Sequence, residues 1–332
     1  MEATHRKKTF TLLLILSLLL PACLAEGSEI GYRFADAKEA AQLLLSNRDY
    51  YDNLTQNDLN FRLQKLDATL EELEAFAAEQ TRDYTDAEKA RIDQSLALIE
   101  KNCAERGYVL PPLEDIVFAK TTMAEECDAG AYTHGTQIYI GQSVFDSILA
   151  YPDDPSIQVK FDVLVAHELF HCLTRNHPDF RAAMYGILGF TVVDEDYVFS
   201  PEIREQIISN PDVGHHNSYA AFEINGEMKN CAVVFTTHMP FAKAGDSFFD
   251  GMATGLVPID DLSTMYSSED AANFRDVFGN NTDYVIDPEE TLADNFADTM
   301  IFGLEGKEYK TPGIIQAIDE LLKAGFAADE AA

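Results

Sequence analysis

Basic residues are scarce in this chain: 24 Lys and Arg stand against 57 Asp and Glu over 332 residues, a formal net charge of −33. A surface that acidic repels phosphate backbones, which excludes nucleic acid as a partner and charge-driven adhesion to anionic lipid. It suits a basic partner or a salty medium. Cysteine is scarce too, at five residues, and no pair has C-x-x-C spacing, so a cysteine zinc site is excluded. There is no internal repeat and no low-complexity tract. With 46% hydrophobic and 11% aromatic residues, the chain is globular, and long enough for one large domain or two modest ones.

A membrane-spanning apolar run is missing as well. Phe10 to Leu20, 11 residues behind the basic His5-Arg6-Lys7-Lys8, is too short to cross a bilayer and reads as a signal peptide. It ends in Leu20-Pro21-Ala22-Cys23, which resembles the lipobox of bacterial lipoproteins. That resemblance implies residues 1–22 as signal peptide, Cys23 as a lipidated N-terminus and a place in the cell envelope. Cleavage after Ala25 is the rival, and would give a secreted protein. In either case Cys103, Cys127, Cys172 and Cys231 face an oxidising compartment, and at least one disulfide is expected among them.

Residues 23–35 read as a tether and 36–110 as a helical region. Leu59, Phe61, Leu63, Leu66, Leu70, Leu73 and Phe76 recur at helical spacing behind a Thr55 cap. Thr85-Asp86-Ala87-Glu88 forms a capping box before Ile92, Leu96 and Ile99, and Gly107 closes that helix. Residues 111–330 change character. Strands are expected at Asp115–Lys120 and Gln137–Ile140, and a hairpin at Tyr219–Ile224 and Cys231–Thr236 around Asn225-Gly226. Helices are expected at Asp162–Arg175, Phe180–Leu188, Glu289–Phe302 and Gly313–Ala324. The class is α+β.

The chemistry gathers at His167-Glu168-Leu169-Phe170-His171. Residues i and i+4 share a helix face, so the two imidazoles can converge on one ion. Glu168 lies about 100° around from His167, beside the ion and able to take a proton from water. A catalytic zinc needs a third protein ligand. His177 stands at the last place of the longer metzincin pattern, and Met265 could pass for that group's Met-turn. Thr174, however, holds the position where glycine would turn the chain back. The other candidate is Glu290, at the start of a helix opened by Pro288, with Asp294 one turn further on the same face.

H-E-x-x-H followed downstream by Glu290-Thr291-Leu292-Ala293-Asp294 resembles the gluzincin zinc metallopeptidases. The resemblance implies a zincin-like fold and one Zn²⁺ held by His167, His171 and Glu290. It implies that Asp294 orients a ligand histidine and that Glu168 is the general base toward a peptide or protein substrate. It also implies that Thr136–Gln142 is the edge strand on which a peptide pairs. An oxyanion donor is needed in addition, and His216 and Tyr219 are the candidates from the donor-rich run 214–219. His134, before Gly135, reads as a turn residue. Two other readings stay open: a non-catalytic envelope lipoprotein of the same fold acting as a binding scaffold, and a metzincin-like peptidase with His177 as ligand.

Overall fold

The computed structural model describes residues 30–325, so the signal segment and Cys23 lie outside the described residues. Among those described, no helix is long and apolar enough to cross a membrane.

Two five-stranded sheets carry the α+β architecture. The first is mixed. Its strands are β1 (Tyr32–Phe34), β2 (Thr81–Arg82), β3 (Ile116–Thr121), β4 (Ala131–His134) and β5 (Gln137–Gly141), in the order β1-β3-β5-β4 with β2 also on β3. β1 and β5 run parallel to β3, while β4 folds back antiparallel on β5 through a turn in which Gly135 has φ +61°. The second sheet is antiparallel. It orders β6 (Thr191–Val192), β7 (Ser218–Ile224), β8 (Glu227–Thr237), β9 (Met252–Pro258) and β10 (Tyr266–Ser267) as 10-9-8-7-6. Its β7–β8 hairpin turns on Asn225 and Gly226, both at positive φ (55° and 79°), as a type I′ turn requires.

Three expectations are corrected. The tether gives way to β1 at Tyr32, because Tyr32–Phe34 pairs with Ile116–Phe118. The pattern from Leu59 to Phe76 forms two helices, Gln56–Leu63 and Leu70–Gln80. Gln64 and Asp67 take left-handed φ between them, and Thr69 starts the second helix with its own capping box to Glu72. The segment expected as an edge strand is interior: β5 lies between β3 and β4, and β4 is the edge.

A 22-residue helix, Pro155–Asn176, carries the two histidines. Pro155 pre-sets its first turn, and the Asp154 carboxylate accepts from the Ser156 N–H. Phe161, Val165, Leu169, Phe170 and Leu173 are buried in the main core, where Phe170 meets Phe296 of the helix Pro288–Phe302 at 5.3 Å between ring centroids. Truncating such a ring costs about 3–5 kcal/mol, so Phe170→Ala would loosen the contact that sets these two helices against each other.

The capped helix Asp86–Arg106 pins both of them. The Arg91 guanidinium and the Ser95 hydroxyl donate to Asp162 Oδ1 at 2.6 and 2.7 Å. At its other end, Asn102 Nδ2 donates to the Met300 carbonyl at 2.9 Å, and Arg106 donates to the carbonyls of Thr299, Met300 and Ile301. These are the last-turn carbonyls that a helix leaves without partners of its own.

The expected disulfide is not formed: Cys103, Cys127, Cys172 and Cys231 are all free. Cys172 and Cys231 are fully buried among aromatic and aliphatic side chains, and Cys127 packs against the separate cluster around Phe61 and Ile208. Each serves as a small apolar filler. Burial pushes the Cys103 and Cys127 thiols up to about 12, which keeps them unreactive.

Candidate metal centre

The helix Pro288–Phe302 starts where the chemistry needs it. Asp287 caps it by accepting the Glu289 N–H at 2.8 Å, Pro288 fixes the first turn, and Glu289 and Glu290 follow at the positive end of the helix dipole. Laid along the histidine helix, that first turn brings Glu290 to both imidazoles. Its Oε2 lies 3.2 Å from His167 Nε2 and 3.8 Å from His171 Nε2. The rings stand 4.8 Å apart at 76°, and ligand atoms of His167, His171 and Glu290 all lie within 4.8 Å of one another.

Each imidazole is held from behind by a second carboxylate. His167 Nδ1 meets Asp294 Oδ1 at 3.0 Å, and His171 Nδ1 meets Glu289 Oε1 at 3.1 Å. Both rings therefore turn Nε2 inward. The Thr282 hydroxyl donates to the other oxygen of Asp294. Glu289 also accepts from Tyr185 at 2.8 Å and from the Thr174 hydroxyl. Thr174, which stands where the longer histidine pattern needs glycine, is thus employed in fixing Glu289. Glu289 is the supporting residue that sequence reasoning missed. Its signal was only its place beside Glu290, because which carboxylate faces which ring depends on how two distant helices pack.

His177 does not join the site. It ends the histidine helix, and its Nε2 donates to the Pro112 carbonyl at 2.6 Å. Met265 packs beneath the second sheet near Val234 and Val257. His134, expected in a turn, is instead the last residue of β4, paired with Gln137 and buried against Tyr50 and Tyr132, because the turn begins only at Gly135. Neither proposed oxyanion donor is placed on the centre by its contacts. His216 is half-buried, its ring against Phe199 and its enclosed Nδ1 unpartnered, and Tyr219 pairs with Thr191 across β6 and β7. Within the run 214–219, Asn217 holds that sheet edge by donating to the Val193 carbonyl and accepting from Arg181.

Other side chains surround the centre instead. Glu168 is 2% exposed, and one of its oxygens accepts from the Thr133 hydroxyl of β4 at 2.7 Å. Asp212, also buried, forms a second potential ligand group with Glu168 and His171. Asn210 donates to Glu290 Oε1. The Tyr284 phenol is pushed well above its usual range by burial and by the charge of Glu290, Asp212, Asp294 and Glu168, so it stays protonated. Tyr284 is nonetheless 37% exposed, so part of the residue stays open to solvent.

The electrostatics ask for a cation. Burial raises Glu168 above the usual carboxylate range and drives Asp212 well above it. Burial alone would lower the histidines, but the carboxylates overcome it. His167 lies well above 6.5 through Asp294 and Glu290, and His171 rises to about 9 through Asp212, Glu289 and Glu290. His171 Nε2 is fully buried and has no hydrogen-bond partner. Two imidazole nitrogens and a carboxylate oxygen, with the opposite ring nitrogens held by carboxylates, are the donor set a catalytic zinc takes. A divalent ion there would partner the orphaned nitrogen and offset the buried excess of acid.

No family model, curated protein or solved structure matches this chain. The geometry of the site therefore carries the functional reading.

Proposed function

We propose that this protein is a zinc-dependent metallopeptidase of the gluzincin type, exported and anchored to the envelope through a lipid on Cys23. One observation carries the proposal: His167 and His171 turn their Nε2 atoms toward Glu290 while Asp294 and Glu289 hold their Nδ1 atoms. His167, His171 and Glu290 would hold the metal. When bound, the ion supplies Lewis-acid polarisation of a carbonyl and lowers the pKa of water toward neutrality.

The chain's own residues supply the rest. Glu168, buried and raised by its surroundings, accepts a proton from attacking water and delivers it to the departing amine. Its bond to Thr133 ties that base to β4, the edge on which an extended peptide can add as a further antiparallel strand. Tyr284 takes the role sought in His216 and Tyr219, donating its hydroxyl to the carbonyl oxygen as charge develops there.

The test is Glu168→Gln. The variant should keep stoichiometric zinc and the wild-type melting temperature while peptide hydrolysis falls by about 10²–10⁴-fold. A binding scaffold would lose nothing, so hydrolysis at the wild-type rate would overturn the assignment.

A further inference from the structure

The segment Ser209–Gly214 connects elements of the second sheet, yet its side chains reach into the metal centre. We infer that this segment is an internal strap seated where substrate must enter, so that the protein folds into a capped form. The inference rests on the peptidase reading and names how access to that site is controlled.

The strap engages the centre at several points. Asn210 donates to Glu290. Asp212 lies with Glu168 and His171, their ligand atoms within 4.8 Å of one another, and His171 Nε2 has no hydrogen-bond partner. The strap also saturates the edge strand. The Thr133 N–H, which points away from β5, donates to Asp212 Oδ1 at 2.6 Å. The Thr133 carbonyl accepts from Arg175 Nη1 at 2.6 Å, and the other arm of the same guanidinium donates to the Pro211 carbonyl. An incoming peptide strand needs that N–H and C=O pair. They are already taken, one by the strap and one by the arginine that clasps it.

The strap is fastened at its start by the N-terminal helices. Asp58 accepts from the Ser209 N–H at 2.9 Å and from its hydroxyl at 2.8 Å, while Arg62 donates to the Ser209 carbonyl at 2.8 Å. Asp58 and Arg62 are themselves paired and buried. Past Ser209 the strap is held through Asn210, the Pro211 carbonyl and Asp212 alone. Cavities of about 400 and 820 Å³ flank the strap, and Arg175, Val213, Gly214 and His215 line both. Lifting residues 210–214 would join the two spaces while Ser209 stays as the hinge. The helical region at the start of the chain therefore positions the cap.

The test uses the full chain carrying Asn210→Ala and Asp212→Ala together, with Asp212→Asn as the milder variant. Three quantities are measured: hydrogen exchange at the Thr133 amide in metal-free protein, the rate of zinc loss to a chelator, and cleavage of a peptide library. Release of the strap should speed Thr133 exchange at least tenfold and raise zinc loss and cleavage by similar factors, with the melting temperature nearly unchanged. Unchanged exchange, zinc loss and cleavage in a folded variant would overturn the inference. Should the double variant fail to fold, the same three quantities for Asp212→Asn decide in the same way. A wild-type chain that takes up no zinc while Thr133 exchange still accelerates in the variant would sink the peptidase reading and leave the strap standing.

Discussion

Asp294 grips Nδ1 of His167 at 3.0 Å from one helical turn beyond Glu290, which faces Nε2 of the same ring at 3.2 Å. A single helix thus addresses both nitrogens of one imidazole, and the Thr282 hydroxyl steadies the arrangement from the other side of the carboxylate. Without Asp294 the ring would be free to turn and would be a poorer donor. Asp294→Ala should weaken zinc binding by about 10–100-fold while the fold persists, as read by competition with a chromogenic chelator. Affinity within twofold of wild type would show that the ring is oriented by something else.

Glu290 and His177 compete for the third ligand position in sequence but not in space. Glu290 faces both histidines, whereas His177 is engaged with the Pro112 carbonyl. Glu290→Ala should lose most of the zinc through dialysis, and His177→Ala should retain it. Metal content by plasma emission separates the two, and the reverse result would restore the metzincin-like alternative.

The metal-free centre predicts an unusual pH response. His171 is raised to about 9 and His167 is raised too, so their stabilising contribution is complete below the unfolded imidazole pKa of about 6.5. It is lost as pH climbs through the folded-state values. The raised Glu168 and Asp212 act in the same direction, because ionising a buried carboxyl costs stability. The lowered Glu289 and Asp294 act only under acidic conditions. Metal-free protein should therefore melt progressively lower between about pH 6.5 and 9. Zinc, which competes with protons for the ring nitrogens, should raise the melting temperature by a growing increment over that interval. An increment independent of pH would mean that the histidines do not exchange protons for metal.

Sequence disclosed this site unevenly, and for physical reasons. The cluster of His167, His171 and Glu290, with Asp294, was legible because i, i+4 spacing puts each pair on one helix face and the resemblance to gluzincins joins the two helices. The Asn225-Gly226 hairpin and the Thr85 capping box were legible because their geometry is local. Glu289, Asp212 and Tyr284 were not, since their roles come from packing segments that lie far apart in the chain. The edge strand was misplaced for a related reason: Ala131–His134 has no strong apolar alternation, and only its pairing with β5 makes it a strand. His216 and Tyr219 drew attention as donors, but a loop rich in donors can equally spend them on its own sheet.

The buried cluster beneath the strap should dominate stability in the N-terminal region. Arg62 is almost wholly enclosed and reaches Asp58 at 3.1 Å, Glu126 at 2.7 Å and the Tyr50 hydroxyl at 2.6 Å. Removing the guanidinium leaves two buried carboxylates without their cation. Arg62→Ala should cost about 3–5 kcal/mol in chemical denaturation, whereas Arg33→Ala, which breaks the exposed pair with Glu39, should cost under about 1 kcal/mol. Similar losses in the two variants would show that the buried cluster has relaxed around the gap or taken in water.

Tyr284 offers the sharpest division between holding the metal and doing the chemistry. Its phenol is held protonated by burial and by the charge of the carboxylates Glu290, Asp212, Asp294 and Glu168. Tyr284→Phe removes only the hydroxyl. Zinc content and the melting temperature should therefore stay at wild-type levels. If the hydroxyl stabilises developing charge on the carbonyl oxygen, kcat should fall by about 10²–10³-fold with KM little changed. A rise in KM at constant kcat would instead assign Tyr284 to substrate binding, because a contact made equally in ground and transition states lowers KM without accelerating the reaction.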